Sequence, residues 1–216
     1  MSILLIGKKD DFYFKNAKEF VLRNFSTAEF IEGTRGQAFP EEYQWWEGQF
    51  IISYLSPWII PNTLLKRASV AAINFHPGPP EYPGIGCTNF AIYNSEKTFG
   101  ITCHHMDPKV DTGKIIAVRR FPLFETDTVY SLTQRCYAYM QTCFYDIVSQ
   151  IAEGKTLPDA GEPWKRIPYK RIELNELCRI SPEMSEAEIQ RRVKAVTFPG
   201  MPGAYTELAG KKFLVC

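Results

Sequence analysis

A chain of 216 residues has room for one well-cored domain with a small appendage and is too short for two full ones. Apolar residues make up 45% and charged residues 23%, a globular balance that excludes a disordered or fibrous chain. The net charge of +1 supplies no global field toward polyanions, so neither a nucleic acid nor a membrane surface is an expected partner.

The chain opens on MSILLIGKKDD, whose short apolar run lacks the basic region and the length of a signal peptide. No stretch approaches the ~18 apolar residues of a membrane span, so a cytoplasmic location is expected. Residues 2–6 read as a first strand, followed by a Lys-Asp loop and a helix with Ala17, Phe20, Val21 and Phe25 at helical spacing. Residues 50–55 (FIISYL) form a second buried strand, Pro61 opens a short helix, and residues 69–75 (SVAAINF) return as the third. This alternation predicts an α/β fold: an open, mostly parallel Rossmann-like sheet with helices on both faces. No GxGxxG follows the first strand, so dinucleotide binding is not expected. Ligands of such sheets bind beyond the carboxyl ends of the strands.

The third strand is cut off by His76-Pro77-Gly78-Pro79-Pro80, which cannot continue a sheet. Asn74 and His76, two apart at its end, point to one face. Residues 99–106 (FGITCHHM) have strand character and lead into a turn-rich loop that carries Asp111 at a strand's end. His104 and His105 point to opposite faces, so one should face the site, and with no third ligand at a recognisable spacing no metal is expected. A helix spans residues 128–153, with Val129, Leu132, Cys136, Met140, Cys143, Ile147 and Ile151 along one stripe and Gly154 ending it.

From Lys155 the composition turns to proline, charge and short segments, which divides the chain into a catalytic unit (1–155) and a C-terminal extension (156–216). The extension holds a basic aromatic stretch, Trp164-Lys165-Arg166-Ile167-Pro168-Tyr169-Lys170-Arg171. A capping box, Ser185-Glu186-Ala187-Glu188, starts a helix through Ile189, Val193 and Val196, and a hairpin closes the chain at residues 205–208 and 211–215. The six cysteines have no CxxC spacing and are expected as free, mostly buried thiols.

Asn74, His76 and Asp111 suit acyl transfer. An imidazole titrates near ~6.5 and can take a proton from an amine nucleophile. An amide N–H can donate to the oxyanion of a tetrahedral intermediate, and a carboxylate can orient and stabilise the imidazolium. The two stretches INFHPGPPEYPGIG (73–86) and FGITCHHMDPKVDTGKII (99–116) resemble the formyltransferases that use N10-formyltetrahydrofolate, marked by Asn-x-His-Pro and an Asp-x-Gly loop. The HPGPPEYPG form and the later FPGMPGAY (198–205) are most similar to the branch that formylates amino sugars on nucleotide carriers, and the likeness spans roughly residues 50–205.

That resemblance implies His76 as base, Asn74 as oxyanion donor and Asp111 as orienting and proton-relay carboxylate, with His105 secondary. It implies a folate pocket on Tyr54, Ile59, Ile60, Asp107 and Val110, whose backbone groups hold the pterin between the apolar side chains. For the acceptor, expected to be a dTDP-linked amino dideoxysugar, Lys8, Lys9, Tyr82, Trp164 and Tyr205 are candidates, with the 164–171 cluster binding pyrophosphate and stacking a base. A merely solvated basic face reads as well. Relatives of this branch are often dimers, so a homodimer is expected. The initiator-tRNA branch adds a C-terminal barrel larger than the 62 residues that follow Gly154. The purine-pathway branch needs a Gly- and Ser-rich turn after the first strand, where this chain has Lys8-Lys9-Asp10-Asp11. A folate-binding module without turnover and a formate-releasing hydrolase complete the alternatives.

Overall fold

Both faces of the first strand are apolar, and this decides the layering. In β1 (Ser2–Lys8), Ile3 and Leu5 point to one side and Leu4 and Ile6 to the other, all fully buried, so each face needs a cover. The computed structural model describes residues 1–215; Cys216, counted above among the free thiols, lies outside the described residues. Asp11 Oδ1 accepts from the N–H groups of Tyr13 and Phe14 and so starts α1 (Phe12–Asn24), which buries Phe14, Ala17 and Val21. Then come β2 (Thr27–Gly33), a 3-10 turn at Glu41–Trp45, β3 (Gly48–Tyr54), α2 (Asn62–Leu65) and β4 (Ala68–His76). After α3 (Cys87–Tyr93) the chain forms β5 (Thr98–His105), β6 (Ile115–Pro122) and the long α4 (Val129–Ala152).

The six strands are ordered β2-β1-β3-β4-β5-β6; β1 to β4 are parallel, and β5 and β6 are antiparallel. Helices α1, α3 and α4 cover the face of Ile3, Leu5, Ile52, Ile73 and Phe75, while α2 and the 3-10 turn cover the other. This is the expected Rossmann-like sheet. The stripe expected on α4 is wholly buried, and Thr128 caps its start through Ser131.

Two edge strands and two short helices escape the sequence pattern. β2 and β6 lie at the sheet's edges, where Glu29, Arg119 and Arg120 stay exposed and blur the apolar run. Helix α3 has only seven residues, and α5 (Arg171–Cys178) starts inside the basic stretch. In α6 (Glu186–Val196) only half of the expected capping box forms. Ser185 Oγ accepts from the Glu188 N–H, but the Glu188 carboxylate turns to Tyr93, Arg191 and Arg192. The closing hairpin, β7 (Ala204–Leu208) and β8 (Lys211–Val215), turns on Ala209 and Gly210, both at positive φ (50° and 73°) as a two-residue turn demands.

The extension is laced to the loop behind β4. Lys165 N–H donates to Pro80 O (2.9 Å), Tyr169 N–H to Pro83 O (2.9 Å) and Ile85 N–H to Tyr169 O (3.1 Å), so residues 164–169 run beside residues 80–85 as a strap. Gly84 permits the approach: its φ is +88°, and a Cβ there would lie 2.5 Å from the Tyr169 nitrogen. Cys87, Cys103, Cys136 and Cys143 are buried free thiols and Cys178 is half-buried. Among the described residues no helix is long and apolar enough to cross a membrane.

Candidate active site

The strand register brings the first two polar groups together. Asn74 on β4 lies directly opposite His104 on β5, so the two side chains share a face with His76. Asn74 Nδ2 stands 3.2 Å from His104 Nε2. His104 is therefore the member of the histidine pair that faces the site, and it joins the expected residues. His105 stays outside as expected; burial and the neighbouring His104 hold its imidazole below the ordinary range.

Asp111 arrives by a route the sequence reading did not foresee. Because β5 is antiparallel, its end lies level with Ile73, short of the carboxyl end of β4. The β5–β6 loop turns back to deliver the carboxylate. The Met106 N–H donates to Ala72 O, Asp111 takes a positive φ of 48°, and Gly113 passes where a Cβ would sit 1.8 Å from the His105 carbonyl oxygen. The Asp111 carboxylate then lies between two imidazoles, with Oδ2 at 3.2 Å from His76 Nδ1 and Oδ1 at 3.3 Å from His104 Nε2. The Gly84 N–H also donates to Oδ2 (2.7 Å).

His76, His104 and Asp111 are only 5%, 2% and 5% exposed. Burial alone would push the Asp111 carboxyl up; His76, then His104 and the Gly84 N–H, outweigh it and bring it down to about 2, so it is ionised at any working pH. The Nε2 of His76 lies 2.8 Å from the Tyr82 carbonyl oxygen, which can only accept. Both ring nitrogens of His76 thus face acceptors. A neutral ring carries one N–H and leaves one acceptor unmatched; a proton gained by the ring satisfies both. The His105 carbonyl accepts from His104 Nδ1 (2.7 Å), so in the neutral ring Nε2 accepts from the Asn74 amide. Its lone pair also faces Asp111 Oδ1 at 3.3 Å, a repulsion that a second ring proton turns into a hydrogen bond. The second amide N–H of Asn74 is left for the cleft.

A cleft of 1390 Å³ opens over this cluster, lined by Asn74, His76 and Asp111 on one wall and by the strap on the other. Six cations line it, Lys8, Lys109, Lys165, Arg166, Lys170 and Arg171, against the single carboxylate of Asp111. Among the described residues Lys109, Lys165, Lys170 and Arg171 have no ion-pair partner, a concentration of charge that the chain's net +1 conceals. Beside it, a cavity of 100 Å³ is walled by Trp58, Ile59, Ile60, Leu65, Met106, Asp107 and Val110 and ends on Asn74, His104 and Asp111. Ile59 and Val110 in its wall are apolar yet 76% and 43% exposed, surface that an apolar ligand would cover.

The other expected contacts divide. Trp164 donates its indole N–H to Gly113 O (2.8 Å) and stands edge-to-face with His104 and His76, at 5.1 and 5.9 Å between ring centroids. Lys8 lines the cleft, paired at 3.5 Å with Asp11; Lys9 does not, and its N–H is bound to Gly33 O. Tyr54 is fully buried with its ring in the core against Phe75 and Phe144, and it lines neither cavity, so the structure does not place this expected folate contact at the site. Tyr82 is 4% exposed, with its hydroxyl donating to Glu96 (2.6 Å), so its carbonyl, and not its ring, is the group that meets His76. Tyr205 sits in the hairpin, accepting from Ile180 N–H, and does not line the cleft. Tyr82 and Tyr205 are apolar-bodied residues with polar tips, and only packing decides which end of each is used.

A buried imidazole with a paired carboxylate, an amide donor and a cationic cleft on an α/β sheet define an acyl-transfer class of site. Residues 2–148 match the formyl transferase family, and the chain belongs to it. The chain is 30% identical over 194 residues to the GDP-perosamine N-formyltransferase of Brucella melitensis biotype 1, covering 86% of this chain and 72% of that one. Its fold is shared with a sugar N-formyltransferase from Shewanella sp FDAARGOS_354 (TM-score 0.79, 19% identity, 100% and 96% of the two chains). It is shared too with the N-formyltransferase of Helicobacter canadensis, solved with folinic acid and dTDP-3-aminofucose (TM-score 0.74, 20% identity, 98% and 86%).

Proposed function

We propose that this formyltransferase moves the formyl group of N10-formyltetrahydrofolate to the amine of a nucleotide-linked amino sugar. The observation that carries the reading is the juxtaposition inside one cleft: the Asn74, His76 and Asp111 wall faces a wall of cations, and the apolar cavity between Ile59, Ile60 and Val110 abuts both. A flat pterin fits the apolar cavity, with main-chain groups near Asp107 to pair with its ring edge. A diphosphate suits the unpaired cations of the strap and of Lys109.

In this reading the acceptor's neutral amine attacks the formyl carbon, and Asn74 donates its free N–H to the oxyanion that forms. His76 takes the amine proton on the ring nitrogen that carries no N–H, which turns from its acceptor to reach the amine. The imidazolium is then held by Asp111 on Nδ1 and by the Tyr82 carbonyl on Nε2. The proton returns to N10 by way of a water held by Asp111 as the bond from formyl carbon to N10 breaks. The products are the formamide and tetrahydrofolate.

The acceptor we favour is a dTDP-linked 3-amino or 4-amino dideoxysugar, supported by the dTDP-3-aminofucose bound in the Helicobacter relative. A GDP-linked amino sugar is the second reading, favoured by the Brucella relative. The test is a panel of both, assayed with the folate donor and read by the mass gain of one formyl group. Faster formylation of glycinamide ribonucleotide than of every nucleotide sugar would sink the proposal in favour of the purine-pathway reaction. Tetrahydrofolate released without any amine would point instead to a hydrolase.

A further inference from the structure

A nucleotide-linked sugar needs a surface for its base, and the obvious aromatic candidates in the strap are already engaged. Trp164 touches both imidazoles, at the reacting end of the cleft, whereas the base is separated from the amine by the sugar, two phosphates and a ribose. Tyr169 has no free face. One side is stacked on Phe90 (centroids 3.8 Å apart, planes at 11°), and the other carries the Arg166 guanidinium, 3.1 Å from the ring centre.

Arg166 is tethered in that position. Its Nη2 donates to Glu173 Oε1 (3.0 Å) and its Nε to Ile167 O (2.9 Å), while its side chain stays 29% exposed and lines the cleft. The three-layer stack Phe90, Tyr169, Arg166 therefore ends in a planar, pre-oriented guanidinium on the cleft side. Guanidinium planes stack on the faces of nucleobases much as aromatic rings do. Pre-orientation lowers the entropy lost when a ligand settles on it.

We propose that the outer face of the Arg166 guanidinium is the stacking platform for the nucleobase of the acceptor. This deepens the nucleotide-sugar reading and rests on it. Stacking reads the face of a base and not its edge, so the platform selects for the presence of a base, and thymine and guanine both satisfy it. The flanking Lys165 and Lys170 are then placed for the diphosphate.

The test pairs two acceptors with two variants. Arg166→Lys keeps the charge and loses the plane; Arg166→Gln loses the charge as well. Each is assayed on the preferred nucleotide sugar and on the matching ribose-diphosphate sugar that lacks the base. The platform requires kcat/KM on the nucleotide sugar to fall on the order of 10-fold in Arg166→Lys, while the penalty on the base-less acceptor stays within about twofold. Equal penalties on the two acceptors would assign Arg166 to the phosphates or to holding α5, and no penalty would remove it from the site; either result overturns the proposal. Tyr137 lines the cleft from α4, and a base-dependent loss in Tyr137→Leu with none at Arg166 would move the platform there. If the unaltered enzyme formylates glycinamide ribonucleotide and no nucleotide sugar, the acceptor reading itself fails, a result visible before any variant is compared.

Discussion

The two walls of the cleft are built on different principles. On one, Asn74 and His104 are paired across adjacent strands, His76 ends the same strand, and His76, His104 and Asp111 are buried and joined through the Asp111 carboxylate. On the other, residues 164–170 run without regular secondary structure, and Ile167 is 75% exposed. A sheet ladder determines side-chain positions closely and suits bond-making, where small misplacements are costly. A strap of exposed cations and flat side chains suits recognition, because its contacts are completed by the ligand. Trp164 joins the two walls, with its N–H on the Asp111 loop and its ring against both imidazoles.

The wall of Asn74, His76 and Asp111 should give the largest effects. His76→Asn should lower kcat about 10³-fold and Asn74→Ala about 10²-fold, with folate binding by calorimetry nearly intact. Retained turnover in either would dissolve the distinction between the walls. Asp111→Asn is the cleanest probe of the carboxylate, since asparagine tolerates the positive φ found there; a loss on the order of 10²-fold with unchanged circular dichroism is expected.

The junction comes next. Trp164→Phe keeps an aromatic ring but loses the bond to Gly113 O. It should reduce kcat roughly 10-fold by loosening the Asp111 loop. An effect confined to acceptor KM would instead make Trp164 part of the recognition wall alone. On that wall, Lys165→Ala and Lys170→Ala should raise the acceptor KM by roughly 3- to 10-fold each, and the effect should shrink as salt is added. Insensitivity to ionic strength would argue against a diphosphate on these groups.

Stability separates the walls in another way. Asp111 has a folded-state pKa of about 2, below its ordinary 3.8. The ionised group therefore contributes stability that is full above about pH 4 and is lost as pH falls toward 2, amounting to about 2 kcal/mol. Denaturant titrations should show a smaller loss over this range in Asp111→Asn than in the unaltered protein, the remainder belonging to carboxylates such as Asp127 and Glu188, whose pKa values are also lowered. The smallest effect belongs to Tyr82→Phe. It removes the hydroxyl bonded to Glu96 and Asn94, should cost about 1 kcal/mol, and should leave activity within about twofold, because only the Tyr82 carbonyl faces His76. A large rise in acceptor KM would restore the ring to the binding site.

Much of the wall that carries Asn74 and His76 was legible in the chain. Asn74 and His76 lie two apart on one strand, the proline run marks that strand's end, and the α4 stripe reads directly as buried surface, because these are local consequences of backbone period and turn chemistry. His104 was half legible: alternation says that one of two adjacent histidines faces the site, but which one depends on register with β4, a pairing set by contacts some thirty residues apart in sequence. The direction of β5, and hence the fold-back that carries Asp111 to His76, was equally out of reach. So was the fate of the tyrosines. Tyr54, Tyr82 and Tyr205 have the same amphipathic side chain as a ligand-binding residue, and only the packing of Phe75, Glu96 and the hairpin around them directs two of the three rings inward and the third away from the cleft. The sequence by itself determined the central strands of the sheet and the residue types able to transfer an acyl group. The tertiary structure decided which of the remaining polar groups meet, because long-range pairing and side-chain packing leave no periodic trace in a single chain.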